Sequence, residues 1–233
     1  RDAVQMRTLA EGSEIVFHLA ALISIPYSYV AAQSCVDVNI HGTLNLLETA
    51  RAGTVERFVH TSTSETYGSA LYAPIDEDHP LQGQSPYSAT KIAADQLAYS
   101  FYASFDLPVV IVRPFNVVGP RQTGHYGMVV PRFIKQAMLG EPITVYDSGE
   151  QCRCWTYIND AIDGFVALAL SDGAVGEIFN LGSNFESSIK DLAFKIKELT
   201  SSRSEVAFTP YEQTRRNGLY EDLIYRAPDL EKI

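Results

Sequence analysis

The chain has 233 residues, 46% of them hydrophobic and 20% charged, so it can bury a core in one large domain or two small ones. Its net charge of −10 argues against nucleic acid as a partner, because a phosphate backbone is itself anionic. No apolar run approaches the roughly 20 residues of a membrane span. The three cysteines form no disulfide framework or zinc site, so we expect a cytoplasmic protein with reduced cysteines and no metal.

The first 120 residues are predicted to alternate between strands and helices. Strands are predicted at 14–20, 57–63 and 108–116, and helices at 28–52 and 86–105. Ser85 is expected to cap the second helix, with Pro86 in its first turn. Because the strands are continuously apolar, the pattern predicts a parallel sheet covered on both faces, with ligands bound beyond the carboxyl ends of the strands.

The pattern becomes less regular after about residue 120. Helices are predicted at 129–139, 159–171 and 188–200, and strands at 143–146, 152–157 and 177–181. We therefore divide the chain into an α/β core over residues 1–120 and a smaller substrate-binding lobe over 121–233. Within that lobe, residues 158–182 are expected to return to the sheet.

Tyr87 and Lys91 lie four residues apart on a predicted helix and so share one of its faces. An ammonium group beside a phenol favours the phenolate, so we expect a lowered pKa for Tyr87 and a role as the base that removes a hydroxyl proton. The spacing alone is weak evidence, because any helix can present a packed tyrosine near a surface lysine. Thr63 strengthens the interpretation, because its hydroxyl group follows the second predicted strand.

Four ordered segments carry a family resemblance: "HLAA" at 18–21, "HTSTSETYG" at 60–68, "SPYSATK" at 85–91 and "RPFNVVGP" at 113–120. With them the chain resembles the extended short-chain dehydrogenase/reductase family, in particular its NAD-dependent nucleotide-sugar epimerases and dehydratases. The resemblance implies a doubly wound, Rossmann-like parallel sheet and NAD as the cofactor. It also implies oxidation of a nucleotide sugar at C4, with a UDP-sugar as the expected substrate.

The resemblance implies a catalytic trio of Thr63, Tyr87 and Lys91. Tyr87 would take the proton of the sugar 4-hydroxyl group, Thr63 would hydrogen-bond that oxygen, and Lys91 would contact the nicotinamide ribose. The cofactor side would also include Ala20, Ala21 and Asn39. For Asn39 the alternative is a buried amide that satisfies a helix kink.

Glu65 stands two residues after Thr63, as a glutamate does in 4,6-dehydratases and nucleotide-sugar decarboxylases. A 4-keto intermediate acidifies the neighbouring C5 hydrogen, and Glu65 is a candidate base for removing it. The alternative is a solvated loop carboxylate. Some dehydratases place an aspartic acid where Ser64 stands here.

On the substrate side the resemblance implies contacts from Asn116, Arg153 and Arg226, the two arginines toward the diphosphate. For Arg153 the alternative is a surface ion pair. The segment 127–136 resembles the one that lies over the nucleobase. The stretch at 145–150 and Val118 depart from the family pattern, which leaves the base and the sugar open.

The family's glycine-rich turn between a strand and a helix is not found in these 233 residues. The glycines at 172–182 follow a helix and enter a strand, the wrong order for a pyrophosphate site. We therefore expect a truncated chain that is inactive by itself and that pairs with another copy through the exposed strand 14–20. The alternative is a non-catalytic relative that serves as an oligomerisation or nucleotide-sugar-binding module.

Overall fold

The computed structural model describes residues 2–124, 128–210 and 226–233. The α-helices are α1 (Ala3–Ala10), α2 (Ile25–Val30), α3 (Ala32–Cys35), α4 (Gly42–Ala52), α5 (Pro86–Phe105), α6 (Val129–Leu139), α7 (Ile158–Leu170) and α8 (Ile189–Leu199). The strands are β1 (Ile15–His18), β2 (Arg57–Thr61), β3 (Val109–Pro114), β4 (Val117–Val118), β5 (Ile143–Tyr146), β6 (Cys152–Cys154), β7 (Thr156–Tyr157), β8 (Ile178–Leu181), β9 (Glu186–Ser188) and β10 (Val206–Thr209).

The central sheet has four parallel strands in the order β1-β2-β3-β8. Parallel neighbours need a crossover, and α4 and α5 supply the crossovers from β1 to β2 and from β2 to β3. The predicted α/β fold with a parallel sheet is therefore confirmed. Among the described strands, β1 pairs only with β2 and forms one edge of this sheet.

Successive residues of β2 are buried on opposite faces of the sheet, which explains why the sequence pattern is continuously apolar. Phe58 packs with Leu47 of α4 and Ala98 of α5 on one face. Val59 packs with the cluster that includes Leu168 of α7 on the other. Each fully buried side chain of this kind contributes about 1.5–3 kcal/mol relative to its exposed state.

The long helix predicted at 28–52 is wrong in detail. The segment contains α2, α3, a π-helix at Val36–His41 and α4, so the helical register changes before Gly42. The strand predicted at 152–157 is also divided, because β6 pairs antiparallel with β9 whereas β7 pairs parallel with β4. Helix α1 was not predicted, and Asp2 caps it by accepting hydrogen bonds from the amides of Val4 and Gln5.

The segments after β4, apart from α7 and β8, build a second layer around their own apolar cluster. Phe133 of α6, Ile143 and Val145 of β5 and Ile196 of α8 are buried together there, and β10 pairs parallel with β5. The division of the chain near residue 120 stays a prediction. In the described part of the chain, no helix is long and apolar enough to cross a membrane.

Candidate active site

A cleft of about 580 Å³ lies at the carboxyl ends of β2 and β3. Five of the predicted site residues line it: Thr63, Glu65, Tyr87, Asn116 and Arg153. The parallel sheet explains this convergence, because the segments that follow neighbouring parallel strands meet at one edge of the sheet. The fold thus brings residues from both halves of the sequence to one cavity.

Tyr87 occupies the first turn of α5, which begins with the predicted cap. The Ser88 amide donates to Ser85 Oγ at 3.1 Å, and the Ser85 amide donates to Ser88 Oγ at 2.9 Å, a reciprocal capping box. Tyr87 is buried, and its hydroxyl group is hydrogen-bonded to Thr63. This contact joins the two residues predicted to handle the substrate hydroxyl group.

The prediction of a lowered pKa for Tyr87 is wrong in this structure. Burial raises the pKa of Tyr87 well above that of an ordinary tyrosine, and the hydrogen bond with Thr63 opposes that rise only in part. Spacing along a helix shows which residues share a face, but it does not show how deeply the phenol is buried.

Lys91 is buried one turn further along α5. Its Nζ donates a hydrogen bond of 2.6 Å to the carbonyl oxygen of Thr61, the last residue of β2. Burial lowers the pKa of Lys91 to about 8, and the negative charge of Asp95 acts in the opposite direction. The ammonium group is therefore held to the end of the strand that leads to Thr63.

Thr63 also begins the 3-10 helix Ser64–Tyr67, which carries Glu65. Thr63 Oγ1 accepts a hydrogen bond of 3.2 Å from the Glu65 amide. The helix ends at Gly68, whose φ of 64° lies in the left-handed region that favours glycine. Glu65 is thereby placed at the cleft, directly beside the hydroxyl group of Thr63.

Glu65 forms a bidentate ion pair with Arg226. The two terminal nitrogens of Arg226 contact the two carboxylate oxygens at 2.5 and 3.3 Å. Arg226 itself is only 2% exposed, so the guanidinium group predicted to contact phosphate is engaged by a carboxylate. The alternative of a solvated loop carboxylate is also wrong for Glu65. Because 161 positions separate the two residues, the sequence pattern gave no sign of this pair.

Asn39 is buried in the π-helix, and its amide is fully engaged by the protein. Its Oδ1 accepts from the Leu22 amide at 2.8 Å, and its Nδ2 donates to the Leu22 carbonyl and to Thr90 Oγ1. These bonds fasten the segment after β1 to α5. Ala20 and Ala21 lie in that segment, at the carboxyl end of β1, with exposed or half-buried side chains.

Asn116 and Arg153 face the cleft from neighbouring backbone segments. Asn116 Nδ2 donates to the Cys154 carbonyl at 3.0 Å, and Arg153 Nη1 donates to the Cys152 carbonyl at 2.7 Å. The sequence analysis missed two other lining residues, Arg132 and Tyr146. Arg132 donates to Tyr146 Oη at 2.9 Å and stacks over its ring, a pairing between α6 and β5 that sequence spacing does not reveal. Gly127 of the predicted segment 127–136 lies outside the described residues.

A family model described as the NAD dependent epimerase/dehydratase family matches residues 1–182. The chain belongs to this family. The predicted resemblance is therefore confirmed.

Curated relatives and solved structures of NAD dependent epimerases and dehydratases agree with this assignment. The UDP-N-acetyl-alpha-D-glucosaminuronate decarboxylase of Bacillus cytotoxicus is 36% identical over 100% of this chain and 73% of its own length. The dTDP-D-glucose 4,6-dehydratase of Homo sapiens is 37% identical over 84% of this chain and 56% of its own length. The chain thus spans little more than half of that second relative.

Two solved members of the family superpose closely. The UDP-glucuronic acid 4-epimerase of Bacillus cereus, in complex with UDP-glucuronic acid and NAD, gives a TM-score of 0.89 at 30% identity over 100% of this chain and 72% of that chain. The dTDP-glucose 4,6-dehydratase DesIV of Streptomyces venezuelae, with NAD and TYD bound, gives 0.88 at 29% identity over 99% and 69%. Both therefore share the fold described above over nearly all of this chain.

The residues of this family member fit one end of NAD. The family resemblance would place the nicotinamide ribose beside Tyr87 and Lys91. Thr61 Oγ1, in a residue that lines the cleft, is buried without a hydrogen-bond partner among the described residues. For the pyrophosphate end, the described residues contain no glycine-rich turn that leads from a strand into a helix. The fit to the cofactor is therefore limited to its nicotinamide half.

Proposed function

We propose that this chain carries the catalytic and substrate-binding residues of an NAD-dependent enzyme that oxidises a nucleotide sugar at C4. The observation that carries the proposal is that Tyr87, Thr63 and Arg153 line one cleft. A paired phenol and hydroxyl group suits an alcohol substrate, and a guanidinium group suits a diphosphate. The relatives named for UDP-sugar and dTDP-sugar chemistry support the same substrate class.

Tyr87 removes the proton of the sugar 4-hydroxyl group, while Thr63 holds the same oxygen by a hydrogen bond. NAD, when bound, supplies the acceptor for the C4 hydride. Lys91 lies in the same buried environment and contributes positive charge near the developing phenolate. Because burial raises the pKa of Tyr87, its phenolate is a strong base once formed.

The next step takes place at C5, where the 4-ketone has acidified the hydrogen atom. Glu65 lies beside Thr63 and would be the base in a 4,6-dehydratase: it takes the C5 proton as the C6–O bond breaks and passes that proton to the departing 6-hydroxyl group, which leaves as water. The carboxylate group of Glu65 is held at the cleft by its ion pair with Arg226. We therefore favour a 4,6-dehydratase over a simple epimerase, which needs no charged group beside Thr63.

A uronate decarboxylase is the second candidate, and the engagement of Glu65 by Arg226 favours it. A 4-keto hexuronate is a β-keto acid, so its C5–C6 bond breaks with release of CO₂ and without a base at C5. In that reaction Glu65 would hold Arg226 in place, and Arg226 would face the sugar carboxylate. The Bacillus cytotoxicus relative that matches the whole chain is named for a reaction of this class.

Incubation with NAD and one sugar nucleotide at a time, followed by NMR spectroscopy, separates these reactions. UDP-glucose and dTDP-glucose are expected to give a 4-keto-6-deoxy sugar if the chain is a dehydratase. UDP-glucuronic acid is expected to give CO₂ and a pentose if the chain is a decarboxylase, and a C4 epimer if it is an epimerase. If no sugar nucleotide changes at any NAD concentration, the chain is inactive by itself, as the missing glycine-rich turn predicts. If no sugar nucleotide binds either, the proposed substrate class is wrong.

Calorimetry tests the prediction that the 233-residue chain is inactive by itself. We expect heat of binding with UDP-glucose and none with NAD, because the sequence has no glycine-rich pyrophosphate turn. Binding of UDP-glucose without turnover would support the alternative of a nucleotide-sugar-binding module. Micromolar binding of NAD would overturn the prediction of inactivity.

A further inference from the structure

Beneath the cleft lies a carboxylate that the proposed chemistry does not use. Asp95 of α5 is 1% exposed, one helical turn beyond Lys91. A buried charge of this kind costs several kcal/mol unless several partners compensate for it. Because Asp95 lies next to the residues proposed for catalysis, its partners indicate what the carboxylate contributes.

Asp95 binds the two residues on either side of Thr61. Its Oδ1 accepts from His60 Nε2 at 3.2 Å, and its Oδ2 accepts from Ser62 Oγ at 2.8 Å. Lys91 meanwhile binds the carbonyl of Thr61 itself. Two positions on one face of α5 therefore hold three consecutive residues at the end of β2, directly before Thr63.

The same carboxylate is linked to the 3-10 helix that carries Glu65. Arg113 Nε donates to Asp95 Oδ2 at 3.2 Å, and Arg113 Nη1 donates to Tyr67 Oη at 3.0 Å. Tyr67 is the last residue of that helix and donates in turn to Asn180 of β8 at 2.7 Å. The network thus connects α5 with three of the four strands of the sheet.

We propose that Asp95 is a positioning residue, which fixes the end of β2 against α5 so that Lys91 and Thr63 both reach Tyr87, and which supplies the buried negative charge that Lys91 faces. This inference rests on the proposed function of Tyr87 and Lys91. Asp95 would touch neither substrate nor cofactor and would act through its neighbours alone.

Several titratable groups surround Lys91 and Tyr87, and the effect of the Asp95 carboxylate on Lys91 must be distinguished from theirs. The groups on the strands are His18 of β1, His60 of β2 and Arg113 of β3. The groups on the helices are Tyr87 and Asp95 of α5, Cys35 of α3 and Glu65 of the 3-10 helix. Of these, Asp95 is the one that raises the pKa of Lys91, which burial lowers to about 8.

The test is an NMR titration of the Lys91 Cε signal in the full chain labelled with ¹³C-lysine and assigned with Lys91→Arg. The wild-type signal is expected to titrate near pH 8. In Asp95→Asn the midpoint is expected to fall by about one pH unit or more, because an opposite charge has been removed. The control is Asp106→Asn, which makes the same change at an exposed carboxylate just after α5 and is expected to leave the midpoint unchanged.

A folded Asp95→Asn protein that titrates at the wild-type pH would overturn the inference. Where turnover is found, the same variant is expected to lower kcat with KM unchanged and to move the alkaline limb of kcat to lower pH. A merely structural role would not move that limb. A chain that binds no sugar nucleotide would count against the proposed function alone, because the titration needs no substrate.

If Asp95→Asn does not fold, the variant Ser62→Ala tests the same positioning role. This variant keeps the charge but removes one hydrogen bond that holds the end of β2. Amide hydrogen exchange at residues 61–63 is expected to become about tenfold faster, since a hydrogen bond to a charged group is lost. Unchanged exchange there would overturn the proposed positioning.

Discussion

Tyr87 combines a hydrogen-bonded hydroxyl group with a raised pKa. Its hydroxyl group is paired with Thr63, and burial raises its pKa. Such a phenol stays protonated near neutral pH unless nearby positive charge stabilises the phenolate. Tyr87 therefore keeps its proton until a cation is placed beside its hydroxyl group. Catalysis is then expected to depend on the tyrosine hydroxyl group itself and not on the bulk of the ring.

Replacing Tyr87 with Phe tests this dependence. We expect kcat to fall by at least about 100-fold with KM little changed, because general acid–base catalysis typically contributes that much. Steady-state kinetics on the sugar nucleotide identified by NMR spectroscopy is the measurement. Tyr99→Phe is the matched control, since Tyr99 is 47% exposed on the same helix. A loss of less than tenfold in Tyr87→Phe would contradict the assigned role.

Sequence spacing correctly grouped the residues that local structure brings together. Tyr87 and Lys91 share the buried side of α5, and Ser85 caps it, because helical geometry alone fixes those relations. The pairing of Glu65 with Arg226 depends on tertiary folding, and so does the depth at which Tyr87 is buried. Neither leaves a periodic signal in the sequence, which is why the pKa of Tyr87 was predicted wrongly and the pairing of Arg226 with Glu65 was not predicted.

Strand β1 and helix α4 are joined by a buried histidine. Thr43 Oγ1 donates to the Asn39 carbonyl and therefore accepts from His18 Nε2 at 2.8 Å, which leaves His18 Nδ1 buried without a hydrogen-bond partner among the described residues. The imidazole is thus neutral, and burial lowers its pKa from about 6.5 to about 3. Below pH 6.5 the unfolded chain takes up a proton at His18 that the folded chain does not.

Stability is therefore expected to fall as the pH drops from 6.5 toward 3, by up to about 5 kcal/mol from His18. His60 acts in the same direction, because burial lowers its pKa as well. Urea unfolding at a series of pH values measures the effect. His18→Gln is expected to flatten the pH dependence, whereas His41→Gln, at a side chain that is 58% exposed, is expected to keep it. An equal slope in both variants would contradict this account.

Element types were easier to predict than element boundaries. Strand β5 and helix α6 match their predicted ranges, because apolar periodicity and flanking turns define both ends. The prediction of one continuous helix over 28–52 failed because the segment contains a π-helix, which keeps an apolar pattern similar to that of an α-helix. Asn39 is buried in the wider turn of this π-helix. The break between β6 and β7 reflects their different partner strands, which a local pattern does not report.

At the scale of the whole molecule, β1 forms an apolar edge of the central sheet, and among the described strands only β2 pairs with it. Ile15 and Phe17 of β1 are 37% and 40% exposed, and Leu19 just beyond them is 64% exposed. Phe17 pairs in register with Val59 of β2. Val59 is buried in the cluster that includes residues of α7, whereas Phe17 is not part of that cluster. An edge strand with exposed apolar side chains is a template for pairing with another chain.

We expect the chain to self-associate through β1. Leu19→Lys is expected to shift the species seen by light scattering toward the monomer at high protein concentration, because a charge on an edge opposes pairing. Leu199→Lys is the control, since Leu199 is 73% exposed at the end of α8, a helix that packs against α6 and β5. A wild-type chain that is strictly monomeric at all concentrations would contradict the proposal.

The order of synthesis determines when the Glu65–Arg226 pair can form. The ribosome releases Glu65 long before Arg226, and at 5–20 residues per second the interval for 161 residues is roughly 10–30 s. During that interval the nascent polypeptide carries an acidic group with no counter-ion beside Thr63. The cavity therefore acquires its final electrostatic character only once Arg226 has been synthesised, after all four strands of the central sheet.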